Sequence, residues 1–238
     1  MKKVILFLVF VICSPHGFSQ LEKGKTIINL NGMYSKTYNE YGIYHNHYES
    51  LTKTTNIGVG IGGIIKDHFI LGVGVDYSKT NKKVLYHEER HWNVNNEDLI
   101  TVYYGSDEKI TQSTSPYIYM SYYIQVTGCL YMQTHLSLKY SSIEDRVKYS
   151  SIPMYHFPSL TQPNPNTLIS TEGSYSFDYW FVSAHLNFSM VYYLTSYAGL
   201  YLELGGMEYA ISEWDFDRTL WNINFNPVNW KVGLQFCF

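Results

Sequence analysis

Apolar and small residues alternate with period two through Thr55–Thr80, TNIGVGIGGIIKDHFILGVGVDYSKT. Ile57, Val59 and Ile61 alternate with Gly58, Gly60 and Gly62. After Ile65-Lys66-Asp67-His68 the pattern resumes. Phe69, Leu71, Val73, Val75 and Tyr77 share one face, and His68, Gly72, Gly74 and Asp76 share the other. Successive strand side chains point to opposite faces, so period two on both sides of a short polar break predicts an antiparallel hairpin.

Two further hairpins follow the same plan. Residues 114–141 predict a strand at about 114–123, a turn near Ile124–Gly128 and a second strand from Cys129. In that second strand Leu130, Met132, Leu136, Leu138 and Tyr140 oppose Tyr131, Gln133, His135, Ser137 and Lys139. The third hairpin runs from about Phe177 to Ala210 and turns at Leu194-Thr195-Ser196. Single strands stand at the ends: Ile28, Leu30, Gly32 and Tyr34 share one face of the first, and Trp230, Val232, Leu234, Phe236 and Phe238 one face of the last. The total is eight strands, an even number.

The connections alternate in length. Those near 65–68, 124–128 and 194–197 are short; those at about 35–53, 79–113, 142–174 and 211–225 are long and polar. This asymmetry predicts an all-β fold: an eight-stranded antiparallel up-and-down transmembrane β-barrel with four long external loops and short periplasmic turns. The polar faces support a closed lumen over the solvent face of a β-sandwich. They carry Gly, Ser, Asn, Gln, His and Tyr, with charges (Asp76, Lys139, Glu203, Lys231) spread one to a strand. The apolar faces end in Tyr34, Tyr77, Tyr140, Tyr192 and Trp230, rings suited to the interfacial girdles of a barrel. Closure removes sheet edges, which lipid would leave unsatisfied.

The ends agree. MKKVILFLVFVICSPHGFSQ has a basic start, the apolar run Val4–Ile12 and small residues at Gly17 and Ser19, the layout of a secretory signal peptide over 1–20. The barrel domain is then 21–238, placed in the outer membrane of a Gram-negative cell. Without Lys2 and Lys3 the net charge goes from −3 to −5, which does not favour nucleic acid as a partner. No run of eighteen apolar residues provides a membrane helix. Cys129 and Cys237 are too few for a disulfide scaffold and read as small strand residues.

GVGIGGIIKDHFILGVGVDYS, SPYIYMSYYIQVTGCLYMQTHLSLKYSS and FVSAHLNFSMVYYLTSYAGLYLELGGMEYAIS together resemble the three hairpins of the bacterial outer-membrane protein β-barrel domain family. That family is similar in architecture to small OmpA- and OmpX-type barrels. The resemblance implies fold and location, and it carries no shared catalytic set. The closing alternation to Phe238 resembles the C-terminal signal read by the outer-membrane assembly machinery. Implied partners are that machinery, outer-membrane lipids and lipopolysaccharide.

One motif points elsewhere. His87-Glu88-Glu89-Arg90-His91 matches the zinc-protease pattern H-E-x-x-H. That chemistry needs a helix to bring both His to one face, and Asn81, Asn93, Asn95, Asn96, Gly105 and Ser106 interrupt the segment. The zinc-protease reading is therefore rejected. His45 and His47, in the first long connection, pose a weaker metal question. His135, His185, Lys139, Glu203 and Lys231 are expected inside the lumen, where paired charges hold the strands in register. No catalytic, cofactor-binding or metal-ligating residue is assigned, and no cofactor is expected. The function expected is non-enzymatic, structural or loop-mediated binding. Tyr38, Tyr41, Tyr44, Tyr48, Trp92, Tyr103, Tyr104, Tyr155 and Trp214 lie among polar residues in the loops, a mixture suited to an extracellular ligand or adhesion. Ser151–Leu168, with four of the seven prolines, predicts an extended loop. The alternatives are a lipid-modifying outer-membrane enzyme, a porin-like pore, and an accessory component of a transport or secretion system.

Overall fold

The computed structural model describes residues 21–43, 46–94, 97–156, 171–212 and 215–238, with side chains at 43, 46, 88–94, 97–103, 152–156, 212 and 215–221 also left aside. The signal-peptide segment, Tyr44, His45, Trp214 and most of the proline-rich stretch lie outside the described residues.

Nine strand segments run in chain order: β1 Thr26–Ile43, β2 Asn46–Lys66, β3 Phe69–Val94, β4 Glu97–Gln125, β5 Leu130–His156, β6 Thr171–Tyr193, β7 Ala198–Ser212, β8 Asp215–Asn224 and β9 Lys231–Cys237. Each pairs antiparallel with its neighbour, and β1 closes the ring by pairing with β9. β8 and β9 are two lengths of one stave, because β7 pairs with both. The ring therefore has eight staves, as the alternation predicts.

Register sets the tilt. From Ile28 the ladder leads through Ile61, Val73, Ile118, Leu138 and Ala184 to Tyr209 on β7. In the other direction it leads through Phe236 to Ala198, also on β7. The two arrivals differ by eleven residues (209 − 198), one of which is the bulged Leu204, skipped where Phe188 pairs Gly205 and Ser189 pairs Glu203. A stagger of that size on eight staves tilts the strands by roughly 35–45° to the barrel axis.

The lipid face is written on each stave. Leu71, Val73, Val75 and Tyr77 of β3 are exposed, as are Ile118, Met120 and Tyr122 of β4, Leu136, Leu138 and Tyr140 of β5, and Val232 and Leu234 of β9. The apolar series on β3 runs from Phe69 to Tyr77. At ~3.3 Å per residue and a tilt of ~40° its eight steps stand about 20 Å tall, close to the height of a membrane barrel's belt. Tyr140 and Trp180 stack at 6.0 Å at its outer margin.

Above the belt the same outward face changes chemistry. Tyr77 gives way to Lys79, Asn81 and Lys83 on β3, and Tyr140 to Ser142, Glu144 and Arg146 on β5. The ladder does not stop there. β3 runs on to Val94 and β5 to His156, so the described parts of these long connections lie within paired strands. The barrel carries a tall polar sheet on its outer side, and the three short turns lie at the opposite end.

Inside, glycine makes room for tyrosine. A Cβ at Gly74 would meet the Tyr117 ring and the Val59 carbonyl, and one at Gly72 would meet the Tyr119 ring. The alternating glycines of β2 and β3 are thus the floor on which two rings from β4 lie.

The last stave is interrupted. Gly206 pairs Asn224 and Glu203 pairs Lys231, so Phe225–Trp230 leave the ladder. Pro227–Asn229 form a 3-10 turn, capped by the Asn226 side chain accepting from the Val228 N–H at 3.1 Å. Pro227 has no N–H to offer a ladder. Opposite, Gly205 takes φ +116, and a Cβ there would meet the Asn224 carbonyl.

Candidate functional site

The lumen is built in layers. At the turn end Ile27, Ile70, Val191, Tyr123, Tyr131 and Tyr193 are buried together. Gln235 donates to the hydroxyls of Tyr123 and Tyr193, each at 2.9 Å. Next, Ser189 donates to Gln133 at 3.1 Å, and Gln133 donates to Ser121 at 3.0 Å. The Ser121 hydroxyl lies 2.9 Å from His135 Nδ1.

Charge follows. Lys139 Nζ meets Asp76 at 2.5 Å, and Lys231 Nζ meets Glu203 at 3.3 Å. Tyr201 donates to Glu203 at 2.9 Å and Asn187 to the same carboxylate at 3.4 Å. Lys139 also stands 5.0 Å above the Tyr117 ring. The register places all four ionic groups on inward positions of different staves, which tie β3 to β5 and β7 to β9. This is the network expected of His135, His185, Lys139, Glu203 and Lys231, with the charges paired and the histidines flanking them.

Over that layer lies a polar cavity of about 380 Å³, walled by Asn56, Ser78, Ser115, His185, Glu208 and Asn224 among others. The Ser183 hydroxyl lies 2.7 Å from His185 Nε2, and a Glu208 oxygen lies 3.4 Å from the same nitrogen. A nucleophile relay needs the hydroxyl on one ring nitrogen and the acid on the other. Here both meet one nitrogen, so the trio is not arranged as a relay. Farther out, Lys109 pairs with the buried Asp145 at 2.7 Å, and Thr111 donates to the same side chain.

The H-E-x-x-H run lies in β3. In a strand, residues four apart share a face but stand about 13 Å from each other, too far to ligate one zinc ion. Pairing does bring His47 opposite His87. His47 Nε2 sits 3.3 Å from Glu49 and 3.6 Å from Glu40, while His87 stacks on Tyr104 at 4.7 Å. Among the described residues no three His, Cys, Asp or Glu side chains converge to hold a metal.

The outer sheet carries the remaining chemistry. Its inward face continues the lumen parity and bears Tyr41 stacked on Tyr48 at 5.0 Å, and Phe177 between Tyr175 and Tyr179 at 6.1 and 5.8 Å. Tyr86 and Tyr149 lie over Gly105 and Gly173 of the adjoining strands. Of the loop aromatics named from sequence, Tyr38, Tyr41 and Tyr104 are exposed. Tyr44 and Trp214, and the side chains of Trp92, Tyr103 and Tyr155, lie outside the described residues. Tyr149, Tyr175, Phe177 and Tyr179 were not singled out beforehand; their period-two spacing beyond Tyr140 and before Trp180 was the signal available.

No family model and no curated protein matches the chain. Among solved structures it is similar to Ail, the attachment invasion locus protein of Yersinia pestis, at 13% identity over 91% of this chain and 99% of that one, with a TM-score of 0.32. Ail in complex with the heparin analogue sucrose octasulfate gives 10% identity over 90% and 95%, TM-score 0.25. The translocator domain of the autotransporter NalP from Neisseria meningitidis gives 10% identity over 99% and 96%, TM-score 0.27.

Proposed function

We propose that this outer-membrane-type barrel is a non-enzymatic binding protein, which displays the inward face of its outer sheet to ligands outside the cell. The observation that carries this reading is the continuation of paired strands far beyond the apolar belt. On β3 the belt ends at Tyr77 and the strand runs seventeen residues more, to Val94. A barrel serving only to span lipid has no use for that length. The extension holds rings on rigid strands, where a partner binds without first ordering a loop. Tyr is suited to such a face, because it adds large contact area with few rotamers to freeze and a hydroxyl for hydrogen bonds. Tyr149 and Tyr175 are 42% and 55% exposed there, well above the near-total burial of Tyr123 and Tyr131 in the lumen. The shared nitrogen of Ser183 and Glu208 on His185 supports the non-enzymatic part.

The test is a trimmed barrel. Replacing residues 36–53, 79–112 and 144–178 by tight turns removes the extension of β1 to β6 and leaves the belt. Cells carrying the whole protein are expected to bind surfaces from an immobilised panel of proteins and polysaccharides, and cells carrying the trimmed barrel are not. Equal binding by the two, with both barrels heat-modifiable on a gel, contradicts the reading.

A further inference from the structure

The seam between the first and last staves is closed over only part of its height. β1 pairs with β9 from Ile27–Cys237 to Gly32–Val232. Beyond Gly32, β1 continues to Ile43 with β2 as its strand partner, while β8 pairs with β7. Among the described residues no ladder joins β1 to β8. Tyr34 follows Leu30 and Gly32 on the lipid face and is 66% exposed. The ladder therefore ends two residues short of the outer girdle, and the opening begins inside the apolar belt. Strand edges at that depth are tolerated only against protein or where they line a water-filled cavity.

Such a cavity reaches the last stave beside the opening, at the level where Pro227–Asn229 lie against β1. Asn224, just before the interruption of the last stave, and Asn229, within it, belong to the wall of the 380 Å³ space over the charged layer. The rim has the opposite character. Phe225 is turned outward onto Phe188, centroids 6.2 Å apart, and Ile223 and Val228 are exposed beside it. The seam thus presents an apolar mouth to lipid and a polar chamber behind it.

The chamber's chemistry narrows the occupant. Its two lysines, Lys139 and Lys231, are already engaged by Asp76 and Glu203. A phosphate would have to displace a carboxylate to reach either. The Glu208 carboxylate in the same wall opposes an anion further, and beside it and His185 stand amides and hydroxyls such as Asn56, Asn222, Asn224, Ser78 and Ser113. These both donate and accept, as the hydroxyls of a sugar do. We propose that the chamber holds the uncharged, sugar-bearing head group of an outer-leaflet lipid, admitted sideways between β1 and β8 while its acyl chains stay in the bilayer.

The experiment is native mass spectrometry of the full barrel released from phosphatidylcholine nanodiscs. The discs contain equal mole fractions of monogalactosyl diacylglycerol and phosphatidylglycerol. One galactolipid per barrel is expected to be retained, at least about tenfold over phosphatidylglycerol. Asn224→Trp, at the mouth, is expected to abolish that preference while the barrel stays heat-modifiable; if it misfolds, Asn229→Trp takes its place. Free galactose at the same concentration is expected not to compete. Equal retention of the two lipids overturns the head-group assignment. Retention unchanged in the folded Trp variant, or full competition by free galactose, overturns the sideways route.

Discussion

Breaking the Asp76–Lys139 pair tests the lumen most sharply. The two side chains are 9% and 11% exposed, so removing one leaves the other in a poorly hydrated interior. The cost of an orphaned buried charge is about 3–5 kcal/mol. Glu203 and Lys231 line the same small space as this pair, so they take up part of the imbalance and the expected cost of Lys139→Met is near the lower end, about 3 kcal/mol. With a urea slope of about 2 kcal/mol per molar, the midpoint falls by roughly 1.5 M. Asp76→Asn is expected to cost a similar amount. The double variant Asp76→Asn/Lys139→Met removes both charges and is expected to fall short of the sum by about 2 kcal/mol. The assay is urea unfolding in lipid vesicles, followed by tryptophan fluorescence and by the gel shift on boiling. Single variants that each cost under about 1 kcal/mol, or that add within about 0.5 kcal/mol, refute a buried, coupled pair.

Three further predictions concern other layers. Gly74→Leu drives a side chain into the Tyr117 ring and the Val59 carbonyl and is expected to cost about 1–3 kcal/mol in the same unfolding assay, with partial rescue by Tyr117→Ala. Val73→Arg, on the lipid face at mid-belt, is expected to cost about 2–4 kcal/mol, whereas Lys79→Ala, one step past the girdle residue Tyr77, is expected to cost under about 1 kcal/mol. Calorimetric titration with zinc is expected to give no saturable heat in the micromolar range; a saturable site lost in both His47→Ala and His87→Ala would contradict the absence of a third converging ligand.

The barrel was legible because lipid and lumen make opposite demands on alternate residues. Leu71, Val73 and Val75 against Gly72, Gly74 and Asp76 leave little choice of face or period. Asp76, Lys139, Glu203 and Lys231 could be placed inward from parity alone, but their partners could not, because pairing depends on the stagger between staves. The outer sheet was not legible. Lys79–Lys83 and Glu144–Lys148 meet water on one side and a polar hollow on the other, so the period-two contrast that marks a strand is lost. The same ambiguity made residues 211–225 read as a loop, although Asp215–Asn224 pair with β7. The break at Phe225–Trp230 was hidden too. Pro227 stood just before an evident strand, and the close approach of Gly205 to Asn224 joins positions distant in sequence.

The central claim is that the apolar face of each stave looks out at acyl chains. A nitroxide scan of β3 from Phe69 to Lys83 in lipid vesicles tests it most directly, by comparing collisions with oxygen and with a water-soluble nickel chelate. Labels at 69, 71, 73, 75 and 77 are expected to meet oxygen and not the chelate, those at 79, 81 and 83 the chelate, and those at 70, 72, 74 and 76 neither. Labels at 71, 73 and 75 shielded from both reagents would mean that these side chains pack against one another, and would contradict the barrel.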